Sequence, residues 1–234
     1  MLPRQVAAAA ASLFLGAACA GCGAPGPSPC RDCTGLLATS PPLTPWVGLP
    51  VPVVAAGEYS GVARALILSA KERGGLGTLR PLAQRLTVSV GLLCLAADVV
   101  GQVVLVPVPS PRARVAERGL DFTGSLARLA ARELSGSGTP TRVGAGLVLR
   151  RRPADQAGLG QVERRRNLDG AFAATGRLPP GSVVVVDDIV TTGATLAEAV
   201  RALTAAGRPP IGAATVAATT RIGGARSVRT PPFP

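Results

Sequence analysis

"VVVVDDIVTTGATL", residues 183–196, is the stretch on which the reading of this chain turns. Four valines run unbroken into Asp187 and Asp188. A continuous apolar run of this length is the pattern of a parallel strand covered on both faces. Small and hydroxylated residues follow, Thr191-Thr192-Gly193-Ala194-Thr195, and lead into "TLAEAVRALTAAG" (195–207), which has helical spacing and ends at Gly207. The stretch therefore reads as strand, short turn and helix, with two carboxylates at the carboxyl end of the strand.

That position has a chemical meaning. In parallel α/β sheets, ligands bind beyond the carboxyl ends of the strands. The first amides of a helix have no acceptor within it, and with the helix dipole they form an anion site. Small residues let the backbone close around a phosphate, and threonine hydroxyls add donors. Carboxylates repel phosphate, so Asp187 and Asp188 must serve another part of the same ligand. Sugar hydroxyls and Mg²⁺ are the natural choices. The glycine pattern and lysine of a Walker A loop are missing.

Outward from this stretch, strands and helices alternate. "EYSGVARALILSAKERGG" (58–75) has a cap at Ser60, helical apolar spacing and a stop at Gly74. "VVLVPVPS" (103–110) is a short apolar strand ending in a proline turn. "DFTGSLARLAARELSGSG" (121–138) is a further helix, and "IGAATVAATT" (211–220) a further strand. This alternation predicts an α/β fold with a parallel sheet flanked by helices. Residues 40–52, "SPPLTPWVGLPVP", read as a proline-rich linker, and no internal repeat is present.

Composition sets further bounds. The chain has 234 residues, 47% of them apolar, enough for one sizeable core and a small appendage. Net charge is +12, carried almost wholly by arginine, with Lys71 the sole lysine. Such a balance suits phosphorylated small molecules, nucleic acid or a membrane surface. A general replacement of lysine by arginine across a GC-rich genome explains the bias equally well. Aromatics make up only 3%, which argues against a base-stacking platform for single strands. Histidine is absent, which excludes a Ser-His-Asp triad, His-ligated metals and imidazole acid–base chemistry.

Near the start, Cys19-x-x-Cys22 and Cys30-x-x-Cys33 are separated by the turn-rich "GAPGPSP". Each pair can aim two thiolates at one ion, and four thiolates complete a tetrahedral, structural Zn²⁺ site. Disulfides are the alternative and would require an oxidising compartment. Cys94, in "VGLLCLAADVV", reads as a buried apolar cysteine. Residues 6–23 are apolar and resemble a signal peptide, or a short helix leading into the metal site. The second reading is preferred, because removing residues up to Cys22 would delete a ligand.

"VVVVDDIVTTGAT" resembles the phosphoribosyl-pyrophosphate (PRPP) motif of the type I phosphoribosyltransferases. The order of segments narrows the resemblance. The cysteine knuckle is followed by "YSGVARALILSAKERG", "LVPVPSPRARVAERGLDFTGSLAR", "LRRRPADQAGLGQVERRRNLDGAF" and then the motif. This order is similar to that of the ComF-type competence family, from Cys19 to about Thr219. One departure is Asp121 in "RGLD", where that family usually carries asparagine.

The resemblance implies Mg²⁺-dependent displacement of pyrophosphate from C1 of PRPP by a nitrogen acceptor. It implies that Asp187 and Asp188 hold the ribose hydroxyls, directly or through Mg²⁺, and that Thr191, Thr192, Gly193, Ala194 and Thr195 bind the 5′-phosphate. Ser110 to Arg112 would form the pyrophosphate loop, with Arg114 and Arg118 nearby. Lys71, the sole lysine of a strongly basic chain, reads either as an ammonium for the diphosphate or as an ordinary surface lysine. Arg150, Gln156, Arg164, Arg165 and Asn167 would belong to a mobile hood. It also implies a link to uptake of single-stranded DNA, and related folds are often dimeric.

The expected organisation is an apolar extension (1–18), a four-cysteine, zinc-ribbon-like module with its linker (19–52), a phosphoribosyltransferase domain (53–220) and a frayed tail (221–234). PRPP is a cytosolic metabolite, so a cytoplasmic protein without stable membrane insertion is expected.

Overall fold

A computed structural model describes residues 18–44, 48–72, 74–150, 168–176 and 178–219. The strand read from the valine run at 183–186 is the middle of a five-stranded sheet. In chain order the strands are β1 (Val53–Ala55), β2 (Val103–Pro107), β3 (Thr141–Val143), β6 (Ser182–Val190) and β7 (Gly212–Ala218). Their spatial order is β1-β7-β6-β2-β3, with every pairing parallel. A separate antiparallel pair, β4 (Leu147–Leu149) and β5 (Phe172–Ala174), stands outside this sheet.

Alternation along β6 explains why it reads as unbroken valine. Val183 and Val185 face one core, and Val184 and Val186 face the other. On the first face lies α6 (Ala194–Ala205), through Leu196, Ala199, Val200 and Leu203. On the second lie α2 (Gly61–Glu72), α3 (Leu79–Ala96) and α5 (Phe122–Gly136). Neither face of the strand meets water, so a polar residue at 183–186 would be buried without a partner.

Connections diverge at the centre of the sheet. From β2 the chain passes through α4 (Arg112–Arg118) and α5 to β3, while from β6 it passes through α6 to β7 on the other side. The carboxyl ends of β2 and β6 therefore flank a topological switch point, where a crevice opens in such sheets. Asp187, Asp188 and the turn at 191–193 lie on one side of it, and Val108 to Pro111 on the other.

Local signals behave as the sequence suggests at several places. Helix α2 starts immediately after Ser60, and Gly74 beyond its end takes φ +62°, a left-handed stop. Helix α5 is capped by Asp121, whose Oδ1 accepts from the Gly124 N–H at 3.2 Å. Asparagine and aspartate cap helices equally well, so this position tolerates the departure noted above. Cys94 is buried, as expected.

Helix α3 has no counterpart in the sequence reading. Its buried set, Leu82, Ala83, Leu86, Val90, Leu93 and Cys94, has clear helical spacing. Two features hide it. Pro81 looks like a breaker but sits in the first turn, where its missing N–H costs nothing. Val88, Leu92 and Leu95 are apolar yet partly or largely exposed, which blurs the stripe.

The N-terminal segment packs into the same core as the sheet. Leu37 of α1 (Arg31–Thr39) joins the cluster of Leu66, Leu82 and Leu86. Residues 40–44 are also held down. Leu43 exchanges backbone hydrogen bonds with Ala55 at 2.8 Å each. The key is Arg85, an arginine only 6% exposed on α3. Its guanidinium donates to Ala38 O at 2.7 Å, Ser40 O at 2.5 Å and Ala56 O. It thus closes the end of α1, the start of the linker and the end of β1 around one planar group, a geometry that suits arginine's fixed fork. Arg85→Met is expected to leave these carbonyls without a donor and to cost about 2–3 kcal/mol. For a chain of this size that is a fall in Tm of roughly 5–10 °C, measurable by thermal melts.

Candidate functional site

Asp187 and Asp188 are both buried at the carboxyl end of β6. They are the only adjacent carboxylates in the chain. The Asp188 N–H donates to Asp187 Oδ1 at 2.8 Å, which fixes the first carboxylate against the strand. Burial first, and the Asp188 charge second, push the Asp187 carboxyl well above the ordinary range, while Lys71 pulls it back. Asp188 Oδ2 is buried and forms an ion pair with Lys71 Nζ, without hydrogen-bond alignment. The same ammonium lies 5.7 Å from the Phe122 ring centroid.

The turn after β6 has the form a phosphate cradle needs. Gly193 caps α6 with φ +77° and ψ −2°, the left-handed region. Ala194 N–H donates to Thr192 Oγ1 at 3.4 Å. A small hollow is lined by Ile189 to Leu196, so all five residues from Thr191 to Thr195 come together there. Gly193→Ala is expected to cost about 1–2 kcal/mol through its backbone conformation and to narrow the hollow. Titration with inorganic phosphate should show weaker binding by about tenfold, with the fold retained by circular dichroism.

The loop after β2 divides the remaining candidates. Arg112 is the first residue of α4 rather than part of a turn. Ser110 and Arg112 line a cleft of about 530 Å³ with Pro109, Pro111 and the β4 strand, Leu147 to Leu149. Arg114 and Arg118 line a second cleft of about 450 Å³ with Lys71, Glu72, Gly74 and Glu117. The structure therefore brings Lys71 together with Arg118 and Asp188, and Ser110 together with Arg112, but places the two sets in different clefts.

Arg150 is exposed just after β4, and its N–H donates to Ala171 O at 2.8 Å. Gln156, Arg164, Arg165 and Asn167 lie outside the described residues, as do most of the apolar extension and the tail. Among the described residues, no helix is long and apolar enough to cross a membrane.

Sequence reasoning missed Glu198. It is buried on α6, paired with Arg201 at 2.6 Å, and accepts from the Phe172 N–H at 3.2 Å. It ties β5 to the helix that begins at the cradle. A glutamate in "TLAEAVRAL" looks like an ordinary solvated helix residue, so no local signal marks it.

The cysteines form a second cluster. The Sγ atoms of Cys19, Cys22, Cys30 and Cys33 all lie within 4.8 Å of one another. Cys22 and Cys30 are 3.7 Å apart. Zinc–thiolate bonds of about 2.3 Å in a tetrahedron put sulfurs about 3.8 Å apart, so the spacing fits the ion. None of the four is in a disulfide. N–H groups support the sulfurs, from Cys30 to Cys19 at 3.2 Å, Gly21 to Cys19 at 3.4 Å and Cys33 to Cys30 at 3.5 Å. At Cys19 burial opposes the thiolate, but the backbone donors of Cys30, Cys22 and Gly21 outweigh it and bring the thiol down to about 6. Space is tight, since a Cβ on Gly21 would lie 2.6 Å from Cys33 Sγ. The donor set and its spacing could hold Zn²⁺.

No curated protein gives a significant match to the chain. The family model described as the phosphoribosyl transferase domain matches residues 115–230, just under half of the chain. That span starts within α4, includes both aspartates and the turn from Thr191 to Thr195, and leaves the cysteine cluster and Lys71 outside. From Val115 to Thr230, the chain carries a phosphoribosyl transferase domain.

Proposed function

We propose that this protein binds PRPP with Mg²⁺ and transfers its phosphoribosyl group to a nitrogen acceptor, releasing pyrophosphate. The observation that carries this reading is the juxtaposition at the switch point. Two buried carboxylates precede, on the same chain, a left-handed glycine and a helix N-terminus. A phosphate in the cradle places the ribose beside Asp187 and Asp188, whose oxygens accept from its hydroxyls or hold the metal. The C1 end then faces the loop after β2, with Ser110 and Arg112.

The C1–O bond to diphosphate breaks with its electron pair, and the acceptor nitrogen bonds to C1 and loses a proton. Mg²⁺, when bound, neutralises charge on the diphosphate. This chain's part is to fix geometry and supply donors where negative charge develops. Guanidinium groups suit that task. With no histidine, the proton passes to a carboxylate, to solvent or to pyrophosphate.

The finer placement in the ComF-type family rests on the segment order and the cysteine cluster ahead of the domain. Zinc in that cluster is part of this reading, with a structural role. The division into extension, zinc module, transferase domain and tail, a cytoplasmic location and a homodimer are likewise proposals from the sequence. The net charge of +12 favours, as a second reading, a PRPP-binding accessory factor that contacts single-stranded DNA.

Incubation with Mg-PRPP and a panel of purines, pyrimidines, amines and ammonia tests the first reading. The expected result is pyrophosphate release that depends on one acceptor. PRPP binding without release from any acceptor, together with DNA binding that weakens steeply with salt, would favour the second.

A further inference from the structure

Among the described residues, three carboxylates are buried, and Glu198 is the one that stands apart from the aspartate pair. It lies on α6 one turn beyond Ala194, the first residue of that helix. Its carboxylate acts in two directions. Arg201, on the same helix, donates to both oxygens at 2.6 and 2.7 Å and supplies the counter-charge. Oε1 also accepts from the Phe172 N–H of β5 at 3.2 Å. This second bond leaves the helix and reaches another element.

The element it reaches has few directional ties. Strands β4 and β5 pair with each other and with no strand of the main sheet among the described residues. The Phe172 side chain shares an apolar cluster with Leu196 and Leu203 of α6. Apolar contact is non-directional and lets neighbours slide. A hydrogen bond to a charged acceptor has a preferred distance and direction. Glu198 therefore fixes where β5 sits along α6, whereas apolar packing only keeps the two together.

That placement bears on both ends of the site. Leu149 of β4 lines the cleft of about 530 Å³ with Ser110 and Arg112. The same residue packs against the cluster of Leu168, Ala171 and Ala194. Ala194 in turn lines the hollow formed by the turn after β6. One strand residue thus lies between the cleft and the turn.

We propose that Glu198 is a positioning residue. By holding the Phe172 N–H it sets the β4–β5 pair against α6, and so fixes the spacing between the turn at Thr191 to Thr195 and the Ser110–Arg112 cleft. This rests on the PRPP reading. PRPP carries an anion at each end, and it gains from both only when the two subsites are correctly spaced. An anion that occupies the turn alone is indifferent to that spacing.

The test compares two probes by calorimetry at a temperature where every protein is folded. PRPP with Mg²⁺ spans both ends, and inorganic phosphate occupies the turn alone. Glu198→Ala should weaken PRPP binding about tenfold and leave phosphate binding within about twofold of wild type. Glu198→Gln should bind PRPP as wild type does, because its Oε1 still accepts from the Phe172 N–H. Where Glu198→Ala does not fold, Glu198→Asp withdraws the acceptor by one methylene, keeps the charge for Arg201, and should show the same selective loss.

A lower Tm with both affinities unchanged would make Glu198 a structural residue and overturn the proposal. Equal weakening of PRPP and phosphate would overturn it too, since the damage would then lie in the turn itself. So would a Glu198→Gln variant no better than Glu198→Ala. In all three cases wild type still binds PRPP, and the PRPP reading stands. If wild type binds phosphate but not PRPP, that reading falls and the positioning role falls with it.

Discussion

Cys33→Ser should abolish zinc binding and lower Tm by about 10 °C or more. Cys33 is 1% exposed, and its sulfur faces the three others. Burial and the neighbouring sulfurs push its thiol up, so without a metal the cluster has to hold protons against one another. A metal removes that conflict. The effect reaches the domain because the knuckle is packed against it. Val62 of α2 lies 3.4 Å from a Cβ built on Gly21, and Ser28 O lies 2.6 Å from one built on Gly77. Metal analysis of the purified protein should give one zinc per chain, and a strong chelator should reproduce the loss of stability in wild type. An unchanged Tm in a metal-free, reduced sample would remove zinc from the account.

Asp187→Asn should do the opposite to stability while removing ligand binding. Burial and the Asp188 charge raise the folded-state pKa of Asp187 above its unfolded value of about 3.9. The folded protein then holds this proton more tightly than the unfolded chain. Its contribution is complete below the unfolded pKa and is lost as the pH rises through the folded one. Wild type therefore pays a growing penalty towards neutral pH, and a residue that does not ionise escapes it. Asparagine keeps the Oδ1 that accepts from the Asp188 N–H. Metal-free melts from pH 4 to pH 8 should converge at the acid end and diverge above it. The variant should be more stable by about 1–2 kcal/mol, a common scale for a poorly compensated buried polar group. A variant less stable at every pH would make Asp187 a structural residue.

Those opposite effects also explain what the sequence could reveal. The β6 strand, the aspartates at its end and the turn into α6 were legible because one segment carries the whole signal. An apolar run sets a buried strand, and small residues with a glycine set the turn into the helix. The cysteine cluster was legible for the same reason, as each C-x-x-C fixes its own geometry. Helix α3 was not, because Pro81 imitates a breaker and the exposed Val88 and Leu95 dilute the stripe. Arg85 and Glu198 were silent because their partners, Ala38, Ser40, Ala56 and Phe172, lie far away in the chain. The link between Lys71 and Asp188 is of this kind too. Composition singled out the lysine, but only the packing of α2 beside β6 gave it a partner.

The central claim is that the end of β6 is a PRPP site, and calorimetric titration tests it most directly. Wild type and Asp187→Asn/Asp188→Asn, both folded and zinc-loaded, are titrated with PRPP in the presence and absence of Mg²⁺. The account predicts saturable, Mg²⁺-dependent binding to wild type, weakened about 100-fold or more in the double variant, since two charge-assisted sets of hydrogen bonds are lost. No binding to wild type, or equal binding to both proteins, would contradict it.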